Sequence, residues 1–225
     1  MTRVLVVDNH DSFVHTLVGY LRELGAEVTL VEADAVDATD LERLLVDVDG
    51  VMVSPGPGSP DEAGSSLDAV RIAARTRRPL LGVCLGHQVI GAAFGAPVTE
   101  APELMHGMVS HVVHDGSALF AGIPSPFTAG RYHSLALAES TLPDDVVVTA
   151  RAGSGTVMAL QHTTLPIVGV QFHPESVLTE GGYRLLANWL QMCGDDAAVA
   201  RSERLHPLAA SGAGRSQPAA AAAAQ

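Results

Sequence analysis

The sequence predicts an open α/β fold, in which a mostly parallel sheet is flanked by helices and antiparallel strands are added to it. Three observations carry this reading. Apolar β-type runs alternate with helical patterns through the first half of the chain, the signature of βαβ units. After Gly95 the pattern changes to shorter strands separated by Gly, Pro and Asp turns. Apolar residues make up 47% of the 225 positions and charged residues only 17%, the composition of a chain that buries a core.

The elements follow in order. Residues 3–8 (RVLVVD) read as a buried strand. Residues 12–24 carry apolar side chains at Phe13, Leu17, Tyr20, Leu21 and Leu24, the spacing of a helix, and Gly25 closes it. Strands at 27–32, 50–54 and 79–83 then alternate with helices at 41–46, 65–75 and 85–94. Beyond Gly95, strands are expected at 111–114, 132–137, 146–151, 157–161 and 167–172. A last helix at 183–193 gathers Leu185, Leu186, Trp189 and Leu190 on one face. Residues 1–194 therefore form the expected domain. Residues 195–225 are rich in Ala, Gly, Ser and Pro, lack bulky apolar anchors, and read as a flexible tail.

Charge and composition exclude several classes. The net charge is −12 and no Lys/Arg cluster is present, so nucleic acid is not an expected partner. No apolar run is long enough to span a bilayer, and Asp8 comes too early for a signal segment, so neither membrane insertion nor export is expected and the chain reads as cytoplasmic. Cys84 and Cys193 are far apart with no CxxC spacing, which suggests neither a disulfide framework nor a zinc site. The densest histidine cluster, HGMVSHVVH at 106–114, places His111 and His114 three apart in a strand, on opposite faces, and no metal site is expected there.

Three segments carry chemistry. GVCLG at 82–86 follows a buried strand and opens a helix, the context that exposes a nucleophile on a tight turn at the carboxyl edge of a sheet. A helix N-terminus there favours a Cys84 thiolate and offers N–H groups to a developing oxyanion. SPGPGSP at 54–60 ends another parallel strand, and the N–H groups around Gly56, Pro57 and Gly58 suit a second oxyanion donor. In QFHPES at 171–176, His173 and Glu175 would share one strand face, with Pro174 ending the ladder. A carboxylate beside an imidazole fixes its tautomer and stabilises its charged form. Nucleophile, oxyanion donors and an oriented base are together the set needed for acyl transfer.

At these residues the sequence resembles the class I (triad) glutamine amidotransferases, over residues 4–193. Within that class DNHDSF at 8–13, SPGPGSP, GVCLGHQ, RYHSL at 131–135 and QFHPES are similar to the small subunits of anthranilate synthase and aminodeoxychorismate synthase. The resemblance implies a Cys84–His173–Glu175 triad acting on L-glutamine. It also implies an oxyanion site between Leu85 and the loop of Gly56 to Gly58, with Gln88, Ser134 and Leu135 holding the glutamine head group. His87 and His133 are expected to be structural.

It further implies a partner, a chorismate-using synthase large subunit that receives the ammonia and holds the magnesium of its own reaction, with no cofactor or metal in this chain. The expected complex is anthranilate synthase; a subunit of aminodeoxychorismate synthase, or one chain serving both reactions, is the alternative. A stand-alone amide hydrolase and a catalytically silent regulatory module are the competing classes, and the intact Cys84, His173 and Glu175 weigh against the latter. Met108 stands where the family commonly carries lysine.

Overall fold

The computed structural model describes residues 1–103 and 107–207. The strands of its main sheet are β1 (Arg3–Asp8), β2 (Glu27–Glu32), β3 (Gly50–Val53), β4 (Leu80–Val83), β6 (Met108–His114), β7 (Phe127–Arg131), β9 (Val146–Ala152), β10 (Val157–His162) and β11 (Ile167–Val170). They lie in the order β2-β1-β3-β4-β11-β10-β9-β6-β7. From β2 to β11 every pairing is parallel; from β11 through β10, β9 and β6 to β7 every pairing is antiparallel. The expected antiparallel strands thus extend the parallel sheet. β5 (Val98–Glu100) and β8 (Leu135–Leu137) form a separate antiparallel pair.

The inner parallel strands β3, β4 and β11 are apolar and fully buried because helices cover both faces, whereas the edge strand β2 (EVTLVE) is partly exposed. Val4 and Val6 of β1 join one core with helices α1 (Val14–Glu23) and α5 (Gly182–Met192), which includes the fully buried Trp189. Leu5 and Val7 point the other way, into a second core with α2 (Ala38–Val46), α3 (Ser66–Thr76) and α4 (Leu85–Ala93). This alternation is the period of two along a strand, applied to a sheet buried on both sides. Among the described residues no helix is long and apolar enough to cross a membrane.

Three expectations need correction. Residues 132–137 are not one strand: β7 lies at Phe127–Arg131, the chain leaves the sheet at Tyr132, and β8 begins only at Leu135. At this break the buried His133 ring is held by Arg131 Nε at 3.1 Å and by the Leu135 carbonyl at 2.9 Å, local contacts that turn residues 132–134 out of the ladder. The strand expected at 167–172 stops at Val170. Finally, ordered structure does not end at Gly194. A short helix α6 (Ala198–Ser202) packs back on the domain with Ala198 fully buried, and Arg201 donates from Nε to the carbonyl of Leu24 at 2.6 Å while pairing with Asp195. This contact satisfies a carbonyl at the end of α1. The remainder of the expected tail, 208–225, lies outside the described residues, as does His106.

Candidate active site

The strand order reverses direction at β1 and β3, and the crevice beyond their carboxyl ends is where such sheets bind ligands. The loops after β1, β3 and β4 and the turn after β11 meet there. Cys84 sits between β4 and α4 with φ 53° and ψ −102°, a conformation that costs a non-glycine residue of order 1–3 kcal/mol. Its N–H is held by the carbonyl of Val170 at 2.8 Å. The flanking glycines are obligatory for steric reasons. A Cβ on Gly82 would lie 2.3 Å from the Gly86 oxygen, and one on Gly86 would lie 2.2 Å from the Val53 oxygen. The turn is therefore strained, sterically locked, and opens directly into the first turn of α4, whose amides have no acceptor within the helix.

The loop at 54–60 is braced from the N-terminal signature. Asn9 donates its backbone N–H to Ser54 Oγ at 2.8 Å and its side-chain amide to the Ser54 carbonyl at 3.1 Å, and it accepts from Ser66 Oγ at 2.8 Å. Gly56 packs so closely on this brace that a Cβ would meet Asn9 Cβ at 2.4 Å, and Gly58 has φ +78°. Phe13, from the same signature, is set edge-on to the His173 ring at 6.4 Å between centroids. The DNHDSF segment thus has a physical role that its sequence did not reveal: it holds the loop at 54–60 and walls the histidine.

His173 Nδ1 and Glu175 Oε1 are 2.7 Å apart, and both side chains are almost completely buried. Their pairing does not come from a shared strand face, because β11 has already ended. It comes from a turn in which His173 N–H donates to the Gly130 carbonyl and Thr179 Oγ1 donates to the His173 carbonyl at 2.6 Å. The N-terminus of α5 presses against this turn, since a Cβ on Gly182 would lie 1.8 Å from the Pro174 oxygen. Burial alone would push the His173 pKa down; interaction with the Cys84 thiol and with Glu175 outweighs it and holds the imidazole well above its ordinary value. His173 is thereby favoured as an imidazolium, poised to donate a proton.

Gly56, Pro57, Gly58, Leu85, Gln88, Ser134 and Leu135 line one cavity of about 140 Å³ together with Cys84, Tyr132 and His133. The substrate-binding residues expected from the sequence are therefore brought together. The Leu135 carbonyl, however, is already engaged by protein: Gln88 Nε2 donates to it at 3.0 Å and His133 Nδ1 lies 2.9 Å away. Gln88 Nε2 also contacts Gln171 Oε1 at 3.1 Å, and Gln171 Nε2 faces Cys84 Sγ at 3.7 Å. Gln171 is fully buried and was missed from sequence, where it reads as one more strand residue before the His-x-Glu pair.

His133 is held between Arg131 Nε, at 3.1 Å from its Nε2, and the Leu135 carbonyl. Burial and the Arg131 charge lower its pKa to about 4, so it is neutral. His87 is completely buried behind Cys84 against Gly169, and burial lowers its pKa to about 3, in keeping with a structural part. Among the described residues no group of three or more His, Cys, Asp or Glu side chains is placed to hold a metal ion. His114 stacks on Phe120 and its Nε2 reaches the carbonyls of Ile123 and Pro124.

A parallel sheet with a strained cysteine elbow, an adjoining glycine loop and a buried His–Glu pair defines a thiol-dependent acyl-transfer enzyme. The chain belongs to the class I glutamine amidotransferase family, whose model matches residues 5–193. It is 55% identical over 204 residues to anthranilate synthase component 2 of Mycobacterium tuberculosis, covering 89% of this chain and 88% of that one. It is 47% identical over 188 residues to the aminodeoxychorismate/anthranilate synthase component 2 of Bacillus subtilis, covering 84% and 95%. Among solved structures, a putative GMP synthase subunit from Thermoplasma acidophilum superimposes with a TM-score of 0.75 at 30% identity, covering 89% of this chain and 98% of that one.

Proposed function

We propose that this chain is the glutaminase subunit of a chorismate-aminating synthase, and that Cys84, His173 and Glu175 are its catalytic triad. The observation that carries the triad is the 2.7 Å His173–Glu175 pair buried beside a cysteine held at φ 53°. The Cys84 sulfur attacks the side-chain carbonyl carbon of L-glutamine. The oxyanion that forms is held by the Leu85 N–H and the loop of Gly56 to Gly58. His173 gives its proton to the departing nitrogen, ammonia leaves, and a γ-glutamyl thioester remains. His173 then takes a proton from water, which attacks the thioester and releases glutamate and the thiol. Glu175 keeps the imidazole in the tautomer that presents Nε2. Two displacements replace one difficult amide hydrolysis.

The partner is read from two features. A second cavity, about 190 Å³ and lined by Phe13, Tyr132, His173 and Val177, lies beside the triad histidine. Phe13, Val177 and Leu178 around it are 38–57% exposed, an apolar rim of the kind a docked subunit covers. The relatives named as component 2 agree with such a subunit, and the acceptor reaction and its magnesium belong to the partner. Anthranilate is the product favoured by the M. tuberculosis relative, and the double name of the B. subtilis relative favours a chain that also serves aminodeoxychorismate synthesis. The test is ammonia release from glutamine by the isolated chain and by the complex. Turnover is expected to be low alone and to rise with synthase and chorismate; equal turnover in both would remove the partner from the reading.

A further inference from the structure

The hydrogen bonds behind the nucleophile form one chain whose direction can be worked out from groups that have no choice. Arg131, fully buried, can only donate, so the His133 nitrogen that meets its Nε at 3.1 Å must accept. The proton of neutral His133 is then on Nδ1, which donates to the Leu135 carbonyl at 2.9 Å. That carbonyl can only accept, which fixes the amide of Gln88 with its nitrogen facing it at 3.0 Å. The same nitrogen faces Gln171, so Gln171 must present its oxygen there, at 3.1 Å. The Gln171 nitrogen is thereby turned to the Cys84 sulfur, at 3.7 Å. A donor, not an acceptor, is aimed at the sulfur from the side of the sheet.

We propose that Gln171 is a positioning residue for the nucleophile: its side-chain amide donates to the Cys84 sulfur, favouring the anionic form and holding it toward the glutamine cavity, in an orientation imposed by Gln88, Leu135, His133 and Arg131. A donor to an anionic sulfur is a charge-assisted bond and stronger than one to S–H. The arrangement also gives Gln88 a role distinct from binding. Both hydrogens of its amide are used by protein carbonyl groups, so only its oxygen is left for a ligand in the cavity. Glutamine binding and nucleophile orientation are thus joined through one side chain.

The inference rests on Cys84 being the nucleophile, and labelling of Cys84 by a glutamine-analogue electrophile tests that reading by itself. The full chain is used for three measurements: melting, the thiolate ultraviolet absorbance taken as a difference against Cys84→Ser, and the rate at which iodoacetamide alkylates Cys84, followed by peptide mapping. Gln171→Glu keeps the shape and turns a carboxylate oxygen to the sulfur; the thiolate absorbance at neutral pH is expected to fall and alkylation to slow by about tenfold or more. Gln171→Met removes donor and acceptor together and is expected to slow alkylation severalfold.

Wild-type melting with unchanged absorbance and alkylation in both variants would overturn the proposal. Should either variant fail to fold, the wild-type protein still decides: the nitrogen-labelled side-chain amide signal of Gln171 is expected to move when Cys84 is alkylated, and a signal that stays in place overturns the proposal.

Discussion

The parallel and antiparallel halves of the sheet both contribute to the active site, but by different physical means. The parallel half works through its backbone. Cys84 and the glycines around it are placed by turns at strand ends, where contacts as close as 2.2 Å to a hypothetical Cβ leave no room for any other residue. The antiparallel half works through side chains. Arg131 and His133 leave the end of β7 for the interior and reach the cavity by a chain of hydrogen bonds of 2.9–3.1 Å. His173 stands at the boundary, just after β11, which pairs in parallel with β4 on one side and antiparallel with β10 on the other. Backbone placement is all-or-none, because a closely packed turn cannot give way by part of an ångström. Side-chain chains can be weakened link by link. Changes in the first half should therefore abolish the reaction or the fold, and changes in the second should tune it.

The largest effect is expected at Cys84, the proposed nucleophile. Cys84→Gly should lower glutamine turnover by about ten thousandfold or more, as removal of a triad member does. Because glycine relieves the φ 53° conformation, the same variant should be more stable by roughly 1 kcal/mol in urea unfolding. Lower stability would mean that the elbow is not strained. Next, Gly86→Ala should destabilise the domain by about 3 kcal/mol or more, since its methyl would have to displace the β3 backbone. If it were tolerated, the rigid half of the comparison would be wrong.

A smaller effect is expected in the antiparallel half. Arg131→Met should raise the KM for glutamine about tenfold, through loss of order at Leu135 and Gln88, with a lesser change in kcat. A loss of kcat as large as that of a triad variant would place Arg131 with the chemistry itself.

The last effect concerns pH and leaves turnover at neutral pH aside. His133 is neutral when buried, with its pKa lowered from 6.5 to about 4. As pH falls through this window the unfolded chain takes up the proton first, so stability is present above pH 6.5, is lost down to about pH 4, and does not change further below it on account of this group. His133→Gln should reduce the slope of unfolding free energy against pH in that window by up to about 1.4 kcal/mol per pH unit. His173 acts with the opposite sign, contributing stability that is lost as pH rises through its raised value. An unchanged slope in the His133 variant would mean that this histidine is not held neutral.

The same two halves separate what could be read from the sequence from what could not. The parallel half was legible because its inner strands are continuous apolar runs and its loops are written in Gly and Pro, residues whose backbone demands are local. The elbow at Cys84 and the loop of Gly56 to Gly58 were found for that reason. The His173–Glu175 pair was found for a partly mistaken one, since a turn held by Gly130 and Thr179 brings the two together and not a strand face. In the antiparallel half the expected strand at 132–137 was misplaced because local pattern says nothing about where a buried arginine finds its partners. The short helix α6 was missed for a similar reason: its anchor is the Leu24 carbonyl, 177 residues away along the chain.

By itself, then, the sequence determined the class of fold and singled out Cys84, the loop of Gly56 to Gly58 and the His173–Glu175 pair, because each depends on residue type at short spacing. Only the tertiary structure decided that Asn9 braces the loop, that Gln171 faces the sulfur, and that Arg131 and His133 set the far wall. Those are contacts between residues distant in the chain, chosen by burial and by the cost of leaving buried polar groups unpaired.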